Sequence, residues 1–310
     1  MTLKVQCDLR VGVATHTGKV RTTNEDDYLV LLPGSQDRIA RIGRVLVVAD
    51  GMGGAVGGAE ASRAAVRALA AGLVESGAAP AERMREGFAR ACREVYDLSR
   101  ESPALRDMGT TLTALDLLGG RFVVGHVGDT RCLLLRGDEL AQLTTDHAVR
   151  DTLQHLTRCI GAGRASEEVD VVQGMVEVGD VFALITDGVW SAVPEPEIVA
   201  SLRHRDPQEA ATELVRKANQ GGGRDNATAL VVVIDSVEPV TAAVDVELPA
   251  AEIDQASRLP PPARDLRAPR WPWLLLALSG VLGTLALLEA VYDIDVVTWV
   301  ASGLRALWPR

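Results

Sequence analysis

Short runs of Val, Leu and Ile recur along the first 235 residues, each ending at a turn signal. They cover Val45–Ala49, Leu112–Leu118, Arg121–Val127, Cys132–Leu135, Val169–Val176, Val181–Ile185 and Ala227–Ile234. Aliphatic runs of this length predict strands. Leu118-Gly-Gly-Arg121 and Arg136-Gly-Asp-Glu139 lie between runs and suggest hairpins. Two Ala-rich segments, Gly58–Val74 and Ala81–Arg100, predict helices on propensity and periodicity. Glu195–Leu202 and Pro207–Asn219 are further helix candidates, with Pro194 and Pro207 near their starts, where proline is tolerated. Strands interrupted by paired helices imply a layered α+β domain over residues 1–235 rather than a regular βαβ alternation.

Beyond it the pattern dissolves. Residues 236–270 hold Pro239, Pro249, Pro260-Pro-Pro262 and Pro269 among charged residues, a composition that favours an extended linker. Trp271–Leu288 carries no charge, and extended to Tyr292 the stretch reaches about the 20 residues a helix needs to cross a bilayer. Trp271, Trp273 and Tyr292 sit at its ends, as interfacial aromatics do. Residues 271–292 are therefore expected to form a transmembrane helix, and 293–310 a short tail. Arg264, Arg267 and Arg270 precede the span, while Glu289, Asp293 and Asp295 follow it. The positive-inside bias then predicts a single-pass cell-membrane protein with its large N-terminal domain in the cytoplasm. The first ten residues lack an apolar run, so a cleaved signal peptide is not expected.

Charge narrows the chemistry. The chain of 310 residues has a formal net charge of −10, which argues against a nucleic-acid binder that coats phosphates. Acidic residues that converge in space would instead suit divalent cations. The four cysteines, Cys7, Cys92, Cys132 and Cys159, show no C-x-x-C spacing. They are expected to be reduced and buried.

Five acidic motifs stand out: Arg21-Thr-Thr-Asn-Glu25-Asp26-Asp27, Asp50-Gly51-Met-Gly-Gly54, Gly125-His-Val-Gly-Asp129-Thr-Arg131, Thr186-Asp187-Gly188 and Gly223-Arg-Asp225-Asn226. Asp50, Asp129 and Asp187 follow aliphatic runs, and Asp225 precedes one. An aspartate at a strand end is held rigidly while its carboxylate faces a cleft. Several converging there repel one another unless cations neutralise them. Hard oxygen ligands favour Mg²⁺ or Mn²⁺ over Zn²⁺, and two such ions can share a water and lower its pKa towards neutrality. Arg21 could hold phosphate oxygens with its planar fork. Each motif alone is weak, because Asp-Gly is a common turn and Asn24–Asp27 could be a solvated loop. The glycines after Asp50 imitate a dinucleotide loop, but Val56 stands where that fingerprint needs glycine or alanine.

Taken together and in order, these motifs resemble the PPM family, the 2C-type metal-dependent Ser/Thr protein phosphatases, over roughly Val11 to Ile234. Gly109-Thr-Thr111 and Leu156-Thr-Arg-Cys-Ile-Gly161 add to the series. The resemblance implies a four-layer αββα fold: two antiparallel β-sheets packed as a sandwich, with helices on both outer faces. It implies two Mn²⁺ or Mg²⁺ ions. Asp50 would bridge them, with the Gly51 carbonyl on one ion and Asp187 and Asp225 on the other. Glu25 and Asp26 would bind or orient metal-bound water, and Arg21 would bind the substrate phosphate. Asp129 with Asp187 would match a third, weaker site. Phosphoprotein substrates made by a partner Ser/Thr kinase would follow. Three departures stand out. Met52 replaces a histidine that many relatives carry, Ser191 replaces an aspartate, and the segment 146–156 is shorter than the family's usual flap. The Asp146-His147 element is present, with His147 expected to be structural. The alternatives are a pseudophosphatase that only binds phosphoproteins, and a two-metal phosphodiesterase.

Overall fold

The computed structural model describes residues 4–33, 42–149, 156–164, 167–204 and 206–240. Two antiparallel sheets lie between two helical layers. The first sheet runs β1 (Lys4–His16), β12 (Ala227–Val240), β11 (Val181–Ile185), β7 (Arg131–Arg136) and β8 (Glu139–Gln142), in that spatial order. The second runs β10 (Asp170–Met175), β6 (Arg121–Val127), β5 (Leu112–Leu118) and β3 (Arg44–Met52), with β2 (Asp26–Leu31) also paired to β3. The far end of β3 continues into a narrow ladder with β4 (Gly109–Thr110) and β9 (Ile160–Gly161).

Period-two alternation explains the layering. Along β3, Val45, Val47 and Ala49 pack under the helices, while Leu46 and Val48 point at the other sheet. Along β11, Val181, Ala183 and Ile185 face one way and Phe182 and Leu184 the other. Both faces are buried, so these strands read as continuous aliphatic runs rather than alternating ones. Phe122 and Phe182 meet edge to face across the sandwich at 5.4 Å.

Helices α1 (Gly54–Glu75) and α2 (Pro80–Ser99) cover the second sheet. Their Ala and Gly content permits close approach: a Cβ on Gly72 would sit 2.9 Å from the Gly87 Cα. The one-turn α3 (Asp187–Trp190), α4 (Glu195–Leu202) and α5 (Pro207–Gln220) cover the first sheet. Asp206 caps α5, accepting from the Gln208 amide at 2.7 Å, with Pro207 at the first helical position.

Several elements differ from expectation. β1 and β2 are strands outside the expected set, and β1 pairs with β12 along its length. β12 continues to Val240, five residues into the stretch expected to be linker. Among the described residues no helix is long and apolar enough to cross a membrane. The expected span 271–292 and tail 293–310 lie outside the described residues. All four cysteines are free and buried.

Candidate active site

Strand ends from both sheets converge on one cleft of about 600 Å³. β2 and β3 pair so that Asp26 stands opposite Asp50. Asp187 follows β11, and Asp225 sits in the turn before β12. Arg21, Glu25, Asp50, Gly51, Asp129, Asp187 and Asp225 all line this cleft. Asp26 is half-buried and is not among the lining residues; its Oδ2 accepts from the hydroxyls of Thr228 at 2.6 Å and Thr186 at 3.0 Å.

Backbone and polar contacts fix these positions. The Asp50 amide donates to Thr111 Oγ1 at 2.9 Å, and its carbonyl accepts from the Thr111 amide at 2.9 Å and the Thr110 hydroxyl at 2.9 Å. Gly51 passes so close to α1 that a Cβ would lie 2.1 Å from the Gly58 carbonyl oxygen. Only glycine allows that approach. Asn226 clamps the β1–β2 loop: its amide donates to the Thr17 and Thr23 carbonyls at 2.9 Å each, and its Oδ1 accepts from the Glu25 amide at 2.8 Å. Arg21 rides on that loop and binds Asp225 at 2.7 Å, with about half its side chain still exposed.

Asp129 occupies a turn braced from behind. The Gly128 amide donates to His147 Nδ1 at 3.0 Å, which leaves the proton of that ring on Nε2, 2.9 Å from Asp170 Oδ2. Arg131 makes a two-pronged pair with Asp146 at 2.7 and 3.0 Å. The Asp146-His147 element thus positions the turn and lines no part of the cleft. Sequence motifs included Thr111, Thr186 and Asn226 but gave them no task. Thr228 and Trp190 acquire theirs only through the fold, as does Arg158, whose guanidinium reaches Asp170 at 3.0 Å.

The cleft is electrostatically crowded. Burial, followed by the charges of Asp26, Asp187, Asp129 and Asp225, holds the Asp50 carboxyl well above its usual range. Burial pushes Asp26 up to about 7 against the opposing pull of the Thr228 and Thr186 hydroxyls. Asp129 is also pushed to about 7, by burial and then by Asp187. Asp187 is raised by burial and then by Asp225, and Glu25 by burial. Glu25 Oε1, Asp26 Oδ1 and Asp187 Oδ1 are buried without a hydrogen-bond partner. Buried acceptors of this kind need a cation or an ordered water.

The donor set fits a hard divalent ion. Five carboxylates line the cleft, with Arg21 the one cation among the described lining residues. Cys159 also lines it, but burial raises its thiol above the ordinary value, which disfavours soft-metal ligation. No three His, Cys, Asp or Glu side chains among the described residues close into a single cage. Mg²⁺-like ions do not require one, because they keep several waters and take few protein ligands.

A sandwich bearing such a carboxylate cleft at its strand ends defines a metal-dependent hydrolase. The chain matches the family described as protein phosphatase 2C over residues 23–230. It is 31% identical over 247 residues to the protein phosphatase PhpP of Streptococcus pneumoniae (strain D39), covering 72% of this chain and 97% of that one. It is 34% identical to the serine/threonine phosphatase stp of Listeria innocua, over 70% of this chain and 93% of the relative. The structure resembles the serine/threonine phosphatase PstP of Mycobacterium tuberculosis with a TM-score of 0.65 and 29% identity, over 74% of this chain and 99% of that one. The catalytic domain of PstP in complex with two manganese ions superposes with a TM-score of 0.64, again at 29% identity and over 74% and 99% of the two chains. The chain belongs to the protein phosphatase 2C family, and its activity is that of a metal-dependent protein serine/threonine phosphatase.

Proposed function

We propose that this cleft hydrolyses phosphoserine and phosphothreonine in proteins, with Asp50, Gly51, Glu25, Asp187 and Asp225 holding two Mn²⁺ or Mg²⁺ ions and Arg21 receiving the phosphate. The observation that carries this reading is the gathering of five carboxylates, two of them with buried unpartnered oxygens, around one arginine. Such ions, when bound, bring the pKa of a water towards neutrality and offset charge on phosphoryl oxygens.

The chain's own residues supply position. Thr110 and Thr111 fix the Asp50 backbone, which holds its carboxylate in the cleft. Asp26 is held through Oδ2 by two threonine hydroxyls and orients water through Oδ1. Arg21 offers a planar fork that matches two phosphate oxygens. Met52 has no proton to give, so the leaving alkoxide takes its proton from water. Asp129, with Asp187, is the candidate for a third and weaker ion.

The address is also proposed. Residues 271–292 form a single membrane span that keeps the catalytic domain on the cytoplasmic side, where a partner Ser/Thr kinase would supply phosphoprotein substrates. The support is the uncharged run Trp271–Leu288 and the arginines before it. A reporter fused to the C-terminus should lie across the membrane from the catalytic domain. Recovery of the full-length chain in the soluble fraction would overturn the span.

The chemistry is tested on the full chain with Mn²⁺, a phosphothreonine peptide and a phosphodiester, repeated with Asp187→Asn. The expected result is peptide hydrolysis that the substitution abolishes. Cleavage of the diester alone, or a peptide bound but never hydrolysed, would overturn the reading.

A further inference from the structure

One wall of the catalytic cleft carries no charge. Met52, Leu156, Cys159 and Ala162 line the same cleft as the carboxylates. The narrow ladder of β3, β4 and β9 builds this wall, with Met52 paired to Gly109 and Gly109 to Gly161. Gly109 has no side chain, so the Met52 methyl lies across it. A Cβ there would stand 3.1 Å from Met52 Cε and 3.4 Å from the Ala162 amide nitrogen.

Ala162 is the one non-glycine residue with positive φ among the described residues, at 50°. Gly161 and Gly163 flank it at 85° and 78°. Glycine would adopt this conformation freely, whereas alanine carries a steric cost. The Ala162 amide donates to the Met108 carbonyl at 2.8 Å, which anchors the turn. The result is an exposed methyl group on the rim of the cleft, beside a thioether. Backbone strain of this kind clusters where structure serves binding.

We infer that Met52, Leu156 and Ala162 form an apolar shelf that selects phosphoproteins with an apolar side chain beside the phosphorylated residue. The inference rests on the phosphatase reading and deepens it. The occupant follows from continuity: these apolar groups share one cleft with the carboxylates and Arg21, so residues flanking a phosphate held there come within their reach. A polar neighbour would lose water there without gaining a partner, whereas an aliphatic one is favoured by burial. Methionine is a fitting floor, since its flexible thioether adapts to differently shaped apolar groups.

The test compares phosphothreonine peptides that differ only in Leu or Gln on either side of the phosphoresidue. Gln keeps the size and adds no charge, so repulsion by the carboxylates cannot mimic the effect. The full chain with Mn²⁺ should favour the Leu peptide in kcat/KM by about fivefold on at least one side. Met52→Gln should reduce that ratio to about twofold or less. Ala162→Gly should also reduce it, and this variant relieves the backbone, so misfolding does not obscure the result. Equal turnover of the Leu and Gln peptides by the unaltered chain would overturn the shelf. So would a ratio unchanged in both variants. Failure to hydrolyse any phosphopeptide would overturn the phosphatase reading and the shelf with it, and is thereby distinguished from equal turnover.

Discussion

Trp190 donates its indole N–H to the Asp129 carbonyl at 3.0 Å. It thereby joins the turn that carries Asp129 to the short helix that begins at Asp187. The Arg131 guanidinium carbon lies 3.8 Å above the same ring. Two carboxylates from different strands of one sheet are therefore registered by one aromatic side chain. Trp190→Phe keeps a ring under Arg131 but removes the hydrogen bond. It should cost about 1 kcal/mol of stability, measured by urea unfolding, and lower kcat/KM several-fold. Full activity in this variant would mean that Asp129 needs no such registration.

Asp187→Asn separates function from stability. Burial and then the charge of Asp225 raise its carboxyl, a hydrogen bond shared with Asp50 opposes the rise, and its Oδ1 has no hydrogen-bond partner. Neutralising it should raise the melting temperature of the metal-free protein while lowering phosphopeptide turnover at least about a hundredfold, as loss of a transition-state electrostatic contact does. A variant that is both less stable without metal and inactive would point to a structural role instead.

Much of this was legible because the carboxylates of the cleft sit beside the strongest sequence signals. Asp50, Asp187 and Asp225 each adjoin an aliphatic run buried on both faces, so strand end and charge are adjacent in the chain. β1 escaped a search for continuous aliphatic runs because it alternates: Cys7, Leu9 and Val11 pack into the core while Asp8 and Arg10 between them face solvent. β2 was hidden by its own acidic start: Asp26 and Asp27 look like loop, and become strand only opposite Asp50 and Ala49. No spacing rule could link Asp26 to Thr186 and Thr228, which lie 160 and 202 residues away and meet it only when the two sheets pack.

Divalent cations should stabilise the fold as well as activate it. Ions that bind the folded cleft and not the unfolded chain add RT ln(1 + [L]/Kd), or about 2.7 kcal/mol at a hundredfold excess over Kd. Calorimetry with Mn²⁺ against a chelator should show a higher melting temperature with metal. Asp187→Asn should lose most of that increment. An increment of equal size in both proteins would place the ions elsewhere.

His126 makes a pH prediction away from the carboxylates. Burial, then the neighbouring His147 ring at 4.8 Å, pushes its pKa down to about 4. Its Nε2–H donates to the Thr145 carbonyl at 3.1 Å, and Nδ1 lies 2.8 Å from the Thr113 hydroxyl. Asp170 and Asp146 favour protonation but are outweighed. Between about pH 6.5 and 4 the unfolded chain binds a proton that the folded chain refuses, so stability falls as pH falls. The loss approaches about 3 kcal/mol and levels off below pH 4. Metal-free unfolding of the unaltered chain and of His126→Gln isolates the histidine, because the crowded carboxylates contribute equally to both. The difference between the two stabilities should shrink with acid, and a constant difference from pH 7 to 4.5 would rule out this titration.

Arg83 and Asp116 form an ion pair buried between α2 and β5, with side chains 3% and 0% exposed. Burial outweighs the arginine and pushes the Asp116 carboxyl up to about 6. Removing one partner strands the other charge in the core, and Arg83→Met should destabilise by about 3 to 5 kcal/mol. Removing both is different. Arg83→Met with Asp116→Leu removes both charges of the pair and should return stability to within about 1 kcal/mol of the unaltered chain, or above it. Urea unfolding of the two single variants and the double variant gives the coupling directly. The pair lies away from the cleft, so phosphopeptide turnover should follow the folded fraction alone. A double variant as unstable as Arg83→Met would mean that the ion pair holds α2 against the sheet through its geometry rather than merely tolerating burial.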